Sequence, residues 1–179
     1  MLIDTHCHLG FQTLFPRIDE VLLSAKESGI LKFITIGCEI PAWSQTIAII
    51  NKYSEVYGAI GLHPHEASKW NNEVKKDLCD FLKSSSKIKA LGEIGLDYFY
   101  LDKTKDLKEQ ENLEKFVFLE QLELARQFKL PVIIHTRDAE ADTLEILKNF
   151  TDLKIVIHCF SGTKEFALKM IELGFYISF

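Results

Sequence analysis

The chain has 179 residues, of which 47% are hydrophobic and 26% are charged, and its formal net charge is −5. This length suits one domain with its own hydrophobic core, so we expect residues 1–179 to form a single domain. The negative charge argues against a generally basic surface of the kind that coats nucleic acid. Bound divalent cations would reverse that charge locally.

Composition also bears on where the protein works. No run of roughly 18 consecutive apolar residues is present, so no transmembrane helix is expected. Near the N-terminus, Asp4 and two histidines stand where a signal peptide would be basic and then apolar. The four cysteines form no CxxC pair, which indicates reduced thiols and not a disulfide framework. We therefore expect a cytoplasmic protein without a membrane partner.

Apolar periodicity and turn residues predict strands and helices that alternate along the chain. Pro16 begins the first predicted helix and Gly29 follows its end, in the positions that these residues favour. The predicted strands span residues 2–4, 32–36, 56–62, 88–94, 131–134, 154–157 and 175–179. The predicted helices span residues 16–28, 41–51, 71–83, 106–128, 139–150 and 163–173.

This alternation, with strands that are apolar on both faces, predicts an α/β fold with a parallel sheet covered by helices. Polar residues at the carboxyl ends of several strands favour a TIM-type (β/α) barrel, whose active site lies at that rim. The chain ends inside the seventh predicted strand. We therefore expect an incomplete barrel of about seven strands, truncated before the eighth strand and the last helices.

All the histidines follow short apolar runs, where the predicted strands end. Histidine is the commonest metal-ligating side chain, so the pattern predicts a metal site at one rim of the barrel. His6 and His8 form a compact pair able to hold one cation, although two exposed loop histidines would give the same motif. Taken singly, His135 or His158 could be a satisfied core histidine. The complete set is His6, His8, His63, His65, His135 and His158.

Glu93 stands at the end of an apolar strand, where a carboxylate is costly unless it pairs with a basic side chain or binds a metal. His6 and His8 follow the first predicted strand, His135 follows the fifth and His158 follows the sixth. A bridging carboxylate with two histidines on each side is typical of a two-metal hydrolytic centre, whose ions lie roughly 3.5–4 Å apart. Such a centre activates water and stabilises charge on a transferring phosphoryl or acyl group.

Five motifs occur in order along the chain: DTHCHL at 4–9, GLHPH at 61–65, GEIGLDYF at 92–99, PVIIHTRDA at 131–139 and IHCFSG at 157–162. Together they resemble the TatD family of metal-dependent deoxyribonucleases, which belongs to the amidohydrolase superfamily of TIM barrels. The resemblance covers essentially the whole chain. Because several motifs match in the same order, it is specific.

The resemblance implies two divalent ions, Mg²⁺, Mn²⁺ or Zn²⁺. It implies that His6 and His8 hold one ion, that Glu93 bridges, and that His135 and His158 hold the other. The implied activity is hydrolysis of phosphodiester bonds with DNA as substrate, often from an end. In the family, an aspartate after the eighth strand is a further ligand and the partner of the attacking water. This chain ends before that strand, so no catalytic acid is assigned within it.

Three residues are candidates for contact with the substrate. His63 and His65 resemble the family's HPH element, which lies beside the metals, although a proline-defined turn with surface histidines is the alternative. Arg137 could bind phosphate oxygens with its planar guanidinium. An ion pair between Arg137 and Asp138 or Asp142 is the alternative.

Two features near Glu93 have more than one interpretation. Tyr98, Phe99 and Tyr100 could stack unpaired bases, although such a cluster more often packs as a hydrophobic lid. Asp97 could orient a ligand histidine from behind.

Two other functions stay open. An amidohydrolase that acts on a small amide, ester or lactone would share the histidines and the barrel. It would commonly use a carboxylated lysine as the bridge, so Glu93 favours the nuclease. Alternatively, the truncated barrel binds metal but is catalytically inactive, in which case adding the C-terminal segment would restore activity.

An incomplete barrel has open sheet edges at its first and seventh strands. We expect this chain to be less stable than a complete barrel and to self-associate through those edges. Light scattering and thermal melting measure both properties. A monomer with a high, cooperative melting transition would contradict the expectation.

Overall fold

The computed structural model describes residues 2–179, and within them seven strands alternate with six α-helices. The strands are β1 (Leu2–Cys7), β2 (Ile30–Gly37), β3 (Val56–Ile60), β4 (Ile88–Asp97), β5 (Val132–Arg137), β6 (Ile155–Ile157) and β7 (Tyr176–Ile177). The helices are α1 (Ile18–Glu27), α2 (Ile40–Lys52), α3 (Asn72–Ser84), α4 (Leu107–Phe128), α5 (Glu140–Leu147) and α6 (Lys164–Glu172). Short 3₁₀ turns, Phe15–Arg17 and Pro64–Lys69, precede α1 and follow β3.

All seven strands are parallel, and their order in the sheet is their order in the chain. The sheet curls into a half-barrel, which confirms the predicted α/β fold and incomplete TIM-type barrel. Because every strand runs the same way, all the carboxyl ends meet at one rim. The residues singled out in the sequence lie at or next to those ends.

The sheet buries apolar side chains on both faces. The helix-covered face carries the main core, in which Trp43, Phe118 and Leu122 are fully buried. A smaller cluster of Ile36, Ala59, Ala90 and Ile133 packs separately from that core. Small residues in this second cluster suit the inner side of a curled sheet, where neighbouring strands converge.

Three helices begin where the sequence predicts, because a side chain caps each start. Asn71 accepts hydrogen bonds from the backbone N–H groups of the first turn of α3, and Asp106 does the same for α4. Thr163 caps α6. These caps satisfy backbone donors that a helix start otherwise leaves without partners.

Four strands, β1, β2, β4 and β5, extend further than predicted. β1 runs to Cys7, which pairs with Thr35, and β4 runs to Asp97, which pairs with Arg137. A prediction based on apolar runs ends each of these strands at its last apolar residues. The backbone pairing continues beyond that point, into the polar residues. His6 and Glu93 each lie at a shift of register within a strand. Paired residues flank each shift, Asp4 and Cys7 around His6 and Leu91 and Ile94 around Glu93. Elsewhere the predicted elements are too long, since α5 ends at Leu147 and β7 has only two paired residues.

β1 and β7 form the two edges of the sheet. Leu2, Ile3 and Tyr176 on these strands are at least half exposed. Self-association through the edges stays a prediction. Of the helices in residues 2–179, none combines the length and apolar character needed to cross a membrane.

Gly95 allows β4 and β5 to approach each other beside the rim. Its φ is +144°, and a Cβ at this position would lie 1.9 Å from the carbonyl oxygen of His135. Any side chain would force the two strands apart, in addition to the cost of the unusual backbone conformation.

We predict that Gly95→Ala lowers the free energy of unfolding by about 3 kcal/mol or more, measured by urea denaturation. Gly29→Ala is the matched control, because Gly29 also has a positive φ, +88°, but no atom lies within 4 Å of the added Cβ. The control should cost only about 1 kcal/mol. Equal losses at the two positions would contradict a steric role for Gly95.

Candidate metal centre

Glu93 lies at the centre of the rim, with only 6% of its surface exposed. Its Oε2 lies 3.4 Å from Nε2 of His6, and its Oε1 lies 3.2 Å from Nδ1 of His135. The two carboxylate oxygens therefore face histidines from different strands. This is the arrangement that a carboxylate needs in order to bridge two cations.

The first group of candidate ligands contains His6, Glu93 and His158, whose ligand atoms lie within 4.8 Å of one another. The His6 and His158 rings are stacked, with centroids 3.4 Å apart and planes within 2° of parallel. His8 joins this group through His6, since their Nε2 atoms lie 3.2 Å apart. The curl of the sheet brings the end of β6 back over the end of β1.

The second group contains His63, Glu93 and His135, again with ligand atoms within 4.8 Å of one another. His63 follows β3 and precedes the 3₁₀ turn, and its ring centroid lies 4.5 Å from that of His135. The grouping differs from the one that the family resemblance implies. His158 lies with His6 and not with His135, and His63, predicted to contact substrate, lies among the candidate ligands.

The imidazoles around Glu93 are mostly in a form that can bind a cation. Burial lowers the pKa of His63 to about 4, helped by the nearby His135. Burial also lowers the pKa of His158 to about 4, and lowers that of His8. These three rings are therefore neutral at pH 7, and a neutral imidazole has a lone pair available for a metal.

Glu93 and Asp97 are both negatively charged at neutral pH. Burial opposes ionisation of Glu93, but hydrogen bonds from His135 and His6 outweigh it and hold the pKa far below its usual value. The pKa of Asp97 falls to about 2, because hydrogen bonds from His135 and His65 likewise outweigh burial. Burial disfavours the charged form of His135, but these two carboxylates raise its pKa to about 9.

This donor set fits divalent cations. Two buried carboxylates lie among five histidines, with His6, His63, His135 and His158 around Glu93 and His65 with His135 at Asp97. A cation bound by Nδ1 of His135 would replace the proton on that nitrogen. His6 and His8 each have a buried Nδ1 without a hydrogen-bond partner among residues 2–179. Unpartnered buried nitrogens and concentrated negative charge are both costly in a protein that binds nothing there. Mixed imidazole and carboxylate donors suit Zn²⁺ and Mn²⁺, and carboxylates suit Mg²⁺.

Asp97 orients two of the histidines, as its place after Glu93 predicts. Its Oδ2 accepts a hydrogen bond from Nε2 of His135 at 2.8 Å and from Nε2 of His65 at 2.9 Å. Its Oδ1 accepts from the backbone N–H groups of Phe99 and Tyr100. The side chain is almost fully buried. One carboxylate thus fixes two rings and the turn that follows β4.

Two polar residues of α4 support the rim from behind, and neither is predicted from the sequence. Glu114 accepts a hydrogen bond from the backbone N–H of Asp97 at 2.8 Å. Gln121 accepts from the backbone N–H of Leu62 and donates to its carbonyl oxygen. Both side chains are buried. Polar residues seven positions apart, at spacings otherwise occupied by core residues of α4, were the signal available in the sequence.

The remaining predicted residues lie around the open side of the centre. The His65 side chain is 42% exposed. Arg137 forms no ion pair within residues 2–179, since Asp142 instead pairs with Lys115. The Arg137 guanidinium stacks on Phe99, with its carbon 3.8 Å from the ring centroid.

The chain matches the family model described as "TatD related DNase" over residues 3–179. It is 34% identical over 181 residues to a Bacillus subtilis protein named uncharacterized metal-dependent hydrolase YabD, covering 100% of this chain and 68% of that one. It is 34% identical over 161 residues to a Cronobacter sakazakii protein named 3′-5′ ssDNA/RNA exonuclease TatD, covering 89% of this chain and 59% of that one.

The fold is similar to a solved structure, the TatD homologue YJJV from Escherichia coli K12. The TM-score is 0.88 at 31% sequence identity, with 98% of this chain and 66% of that chain covered. The chain spans about two thirds of the length of the curated relatives it matches.

Glu114 gives the fold a predictable dependence on pH. Burial raises its pKa to about 7, and the nearby Asp97 carboxylate adds to the effect, although the hydrogen bond from the Asp97 backbone opposes it. The folded chain thus holds this proton more tightly than the unfolded chain does. Stability from this group is present below the ordinary glutamate pKa and is lost as the pH rises towards 7.

We predict that Glu114→Gln, which keeps the acceptor oxygen but cannot ionise, stabilises the chain at pH 8 by at most about 3 kcal/mol. At pH 4.5 the difference should be close to zero. Urea denaturation at the two pH values measures this, with the exposed Glu109→Gln as control. A stability difference that does not change with pH would contradict the prediction.

Proposed function

Because the chain belongs to the TatD-related DNase family of metal-dependent hydrolases, we propose that it hydrolyses phosphodiester bonds of DNA from an end, at a centre of two divalent cations. The observation that carries the proposal is the position of Glu93, whose two oxygens face histidines of different strands. We also propose that residues 1–179 form one domain of this hydrolase, which the family match over nearly the whole chain supports.

The proposed ligands fall on the two sides of Glu93. His6, His8 and His158 lie on one side, and His135 with His63 lies on the other. When bound, the cations would supply an activated water and stabilise negative charge on the transferring phosphoryl group. We propose Mg²⁺, Mn²⁺ or Zn²⁺ because these ions accept the imidazole and carboxylate donors present.

The protein's own residues orient the substrate. His65 is held by Asp97 through Nε2 and is half exposed. Its Nδ1 would donate a hydrogen bond to a phosphate oxygen when the ring carries both protons. Arg137 has no carboxylate partner within residues 2–179, so its N–H groups are available to a second phosphate oxygen. These two side chains lie on the His135 side of Glu93, which places the substrate backbone on that side. The exonuclease name of the Cronobacter sakazakii relative supports a single-stranded substrate.

The proposal predicts that Glu93→Gln reduces metal-dependent nucleotide release from an end-labelled single-stranded oligonucleotide by at least about 100-fold. Glutamine keeps the size of the side chain but removes the charge that holds both cations. Glu145→Gln is the matched control, since the Glu145 side chain is 75% exposed on α5. Release is measured with Mg²⁺ or Mn²⁺, and EDTA sets the background.

Calorimetric titration with Mn²⁺ separates binding from catalysis. We expect two equivalents to bind the unaltered chain and fewer to bind Glu93→Gln. Full activity in Glu93→Gln would refute the bridging role. Metal binding without nucleotide release in the unaltered chain would show that the ligands assemble but that this chain is not an active nuclease.

A further inference from the structure

Two exposed aromatic rings lie beside the proposed centre. Phe99 is 46% exposed and Tyr100 is 60% exposed, although both follow directly on the buried end of β4. Tyr98 behaves differently, since it is partly buried and its hydroxyl donates a hydrogen bond to Asp142. The three aromatic residues Tyr98, Phe99 and Tyr100 therefore do not pack together as one hydrophobic lid. Two of the three rings face solvent at the rim.

The two rings are nevertheless held in place. The backbone N–H groups of Phe99 and Tyr100 both donate to Oδ1 of Asp97, at 3.1 Å and 3.2 Å. Asp97 also holds His135 and His65 through its other oxygen. The position of the rings is thus tied to the position of the histidines by a single buried carboxylate. Loosely attached surface aromatics would lack this connection.

Arg137 and His65 complete the surface. The guanidinium carbon of Arg137 lies 3.8 Å from the Phe99 ring centroid and 5.0 Å from that of Tyr100. The His65 ring meets Tyr100 edge-on, with centroids 5.0 Å apart. Stacking on a guanidinium restrains an aromatic ring and leaves the N–H groups of the arginine free at their edges. The aromatic and phosphate-binding surfaces are therefore adjacent.

The neighbouring groove favours a neutral group over a charged one. It has a volume of about 810 Å³ and begins at His65 and Tyr100. Three exposed carboxylates, Asp102, Asp106 and Glu109, line it against one lysine, Lys105, which pairs with Asp102. Carboxylates repel a nucleic-acid backbone but leave a neutral, planar base unopposed. A strand with its phosphate at Arg137 and His65 would therefore direct a base, and not a phosphate, towards these rings.

The Phe99 and Tyr100 rings lie edge to face, with centroids 4.8 Å apart. We propose that they form a stacking platform, on which an unpaired base at the end of a single-stranded nucleic acid stacks on one ring beside the edge of the other. The platform selects single-stranded ends, because a base in a duplex must separate from its partner before it can stack there. This inference rests on the proposed function, since it places the scissile phosphate at Glu93. It adds a specificity-determining surface for that same reaction.

The test compares the unaltered chain with Phe99→Leu/Tyr100→Leu, which keeps apolar side chains and the backbone bonds to Asp97. Phe116→Leu is the control, because Phe116 is 53% exposed on α4, outside the platform. The probes are single-stranded oligonucleotides with 2-aminopurine at the 3′ or the 5′ end. The terminal linkage is a phosphorothioate, which resists hydrolysis and keeps the negative charge, and fluorescence is recorded with Mg²⁺.

We expect binding of one of the two probes to quench 2-aminopurine fluorescence with the unaltered chain and with Phe116→Leu. The double variant should lose most of that quenching and bind about 5- to 100-fold more weakly, as expected for the loss of base–aromatic stacking. Equal quenching by the double variant would overturn the platform. Absence of quenching of both probes by the unaltered chain would overturn it too.

A second comparison uses cleavage. An ordinary oligonucleotide and one whose terminal nucleotide lacks its base should differ in KM with the unaltered chain, and this difference should vanish in the double variant. A difference that persists would contradict the platform. If quenching occurs but nothing is cleaved, the proposed function fails while the platform stands, so the two failures are distinguishable.

Discussion

The burial of an ionised carboxylate at Glu93 is the constraint on which the rest of the rim depends. Removing such a charge from water costs several kcal/mol unless compensating groups surround it. The compensation comes from His6 on one oxygen and His135 on the other, and these side chains belong to different strands. Only a sheet that is both parallel and curled brings those strand ends around one point. Compensation of the Glu93 charge therefore requires this parallel, curled sheet.

The support for this centre comes from one helix. Glu114 and Gln121 of α4 hydrogen-bond to the backbone at Asp97 and at Leu62, and so fix the end of β4 and the segment that follows β3. Asp97 in turn accepts hydrogen bonds from His135 and His65, so the position of both rings depends on the position of Asp97. The side chains that face a substrate are thus connected to buried ones through short, well-formed hydrogen bonds. Such connected polar groups keep a site rigid, provided that every member has a partner.

Much of this could be predicted from the sequence, because the strongest signals are local. Alternating apolar runs and caps predict the elements, and parallel strands force residues such as Glu93 and His135 to the same rim. The grouping of His158 with His6 depends on how far the sheet curls, which no local pattern encodes. The same holds for Glu114 and for Arg137, whose partners come from distant segments. An apolar-run criterion also ends β1 and β4 too early, because it does not detect backbone pairing beneath polar side chains.

The strand order described above is also an order of assembly. Each strand pairs with the one that precedes it in the chain, so the sheet can grow from the N-terminus without waiting for a distant segment. Chains begin to fold while they are still being synthesised, N-terminal segments first. Glu93 enters with the fourth strand, before His135 and His158 have emerged. The histidines around the Glu93 charge are thus synthesised one after another. His158, which stacks on His6, comes last.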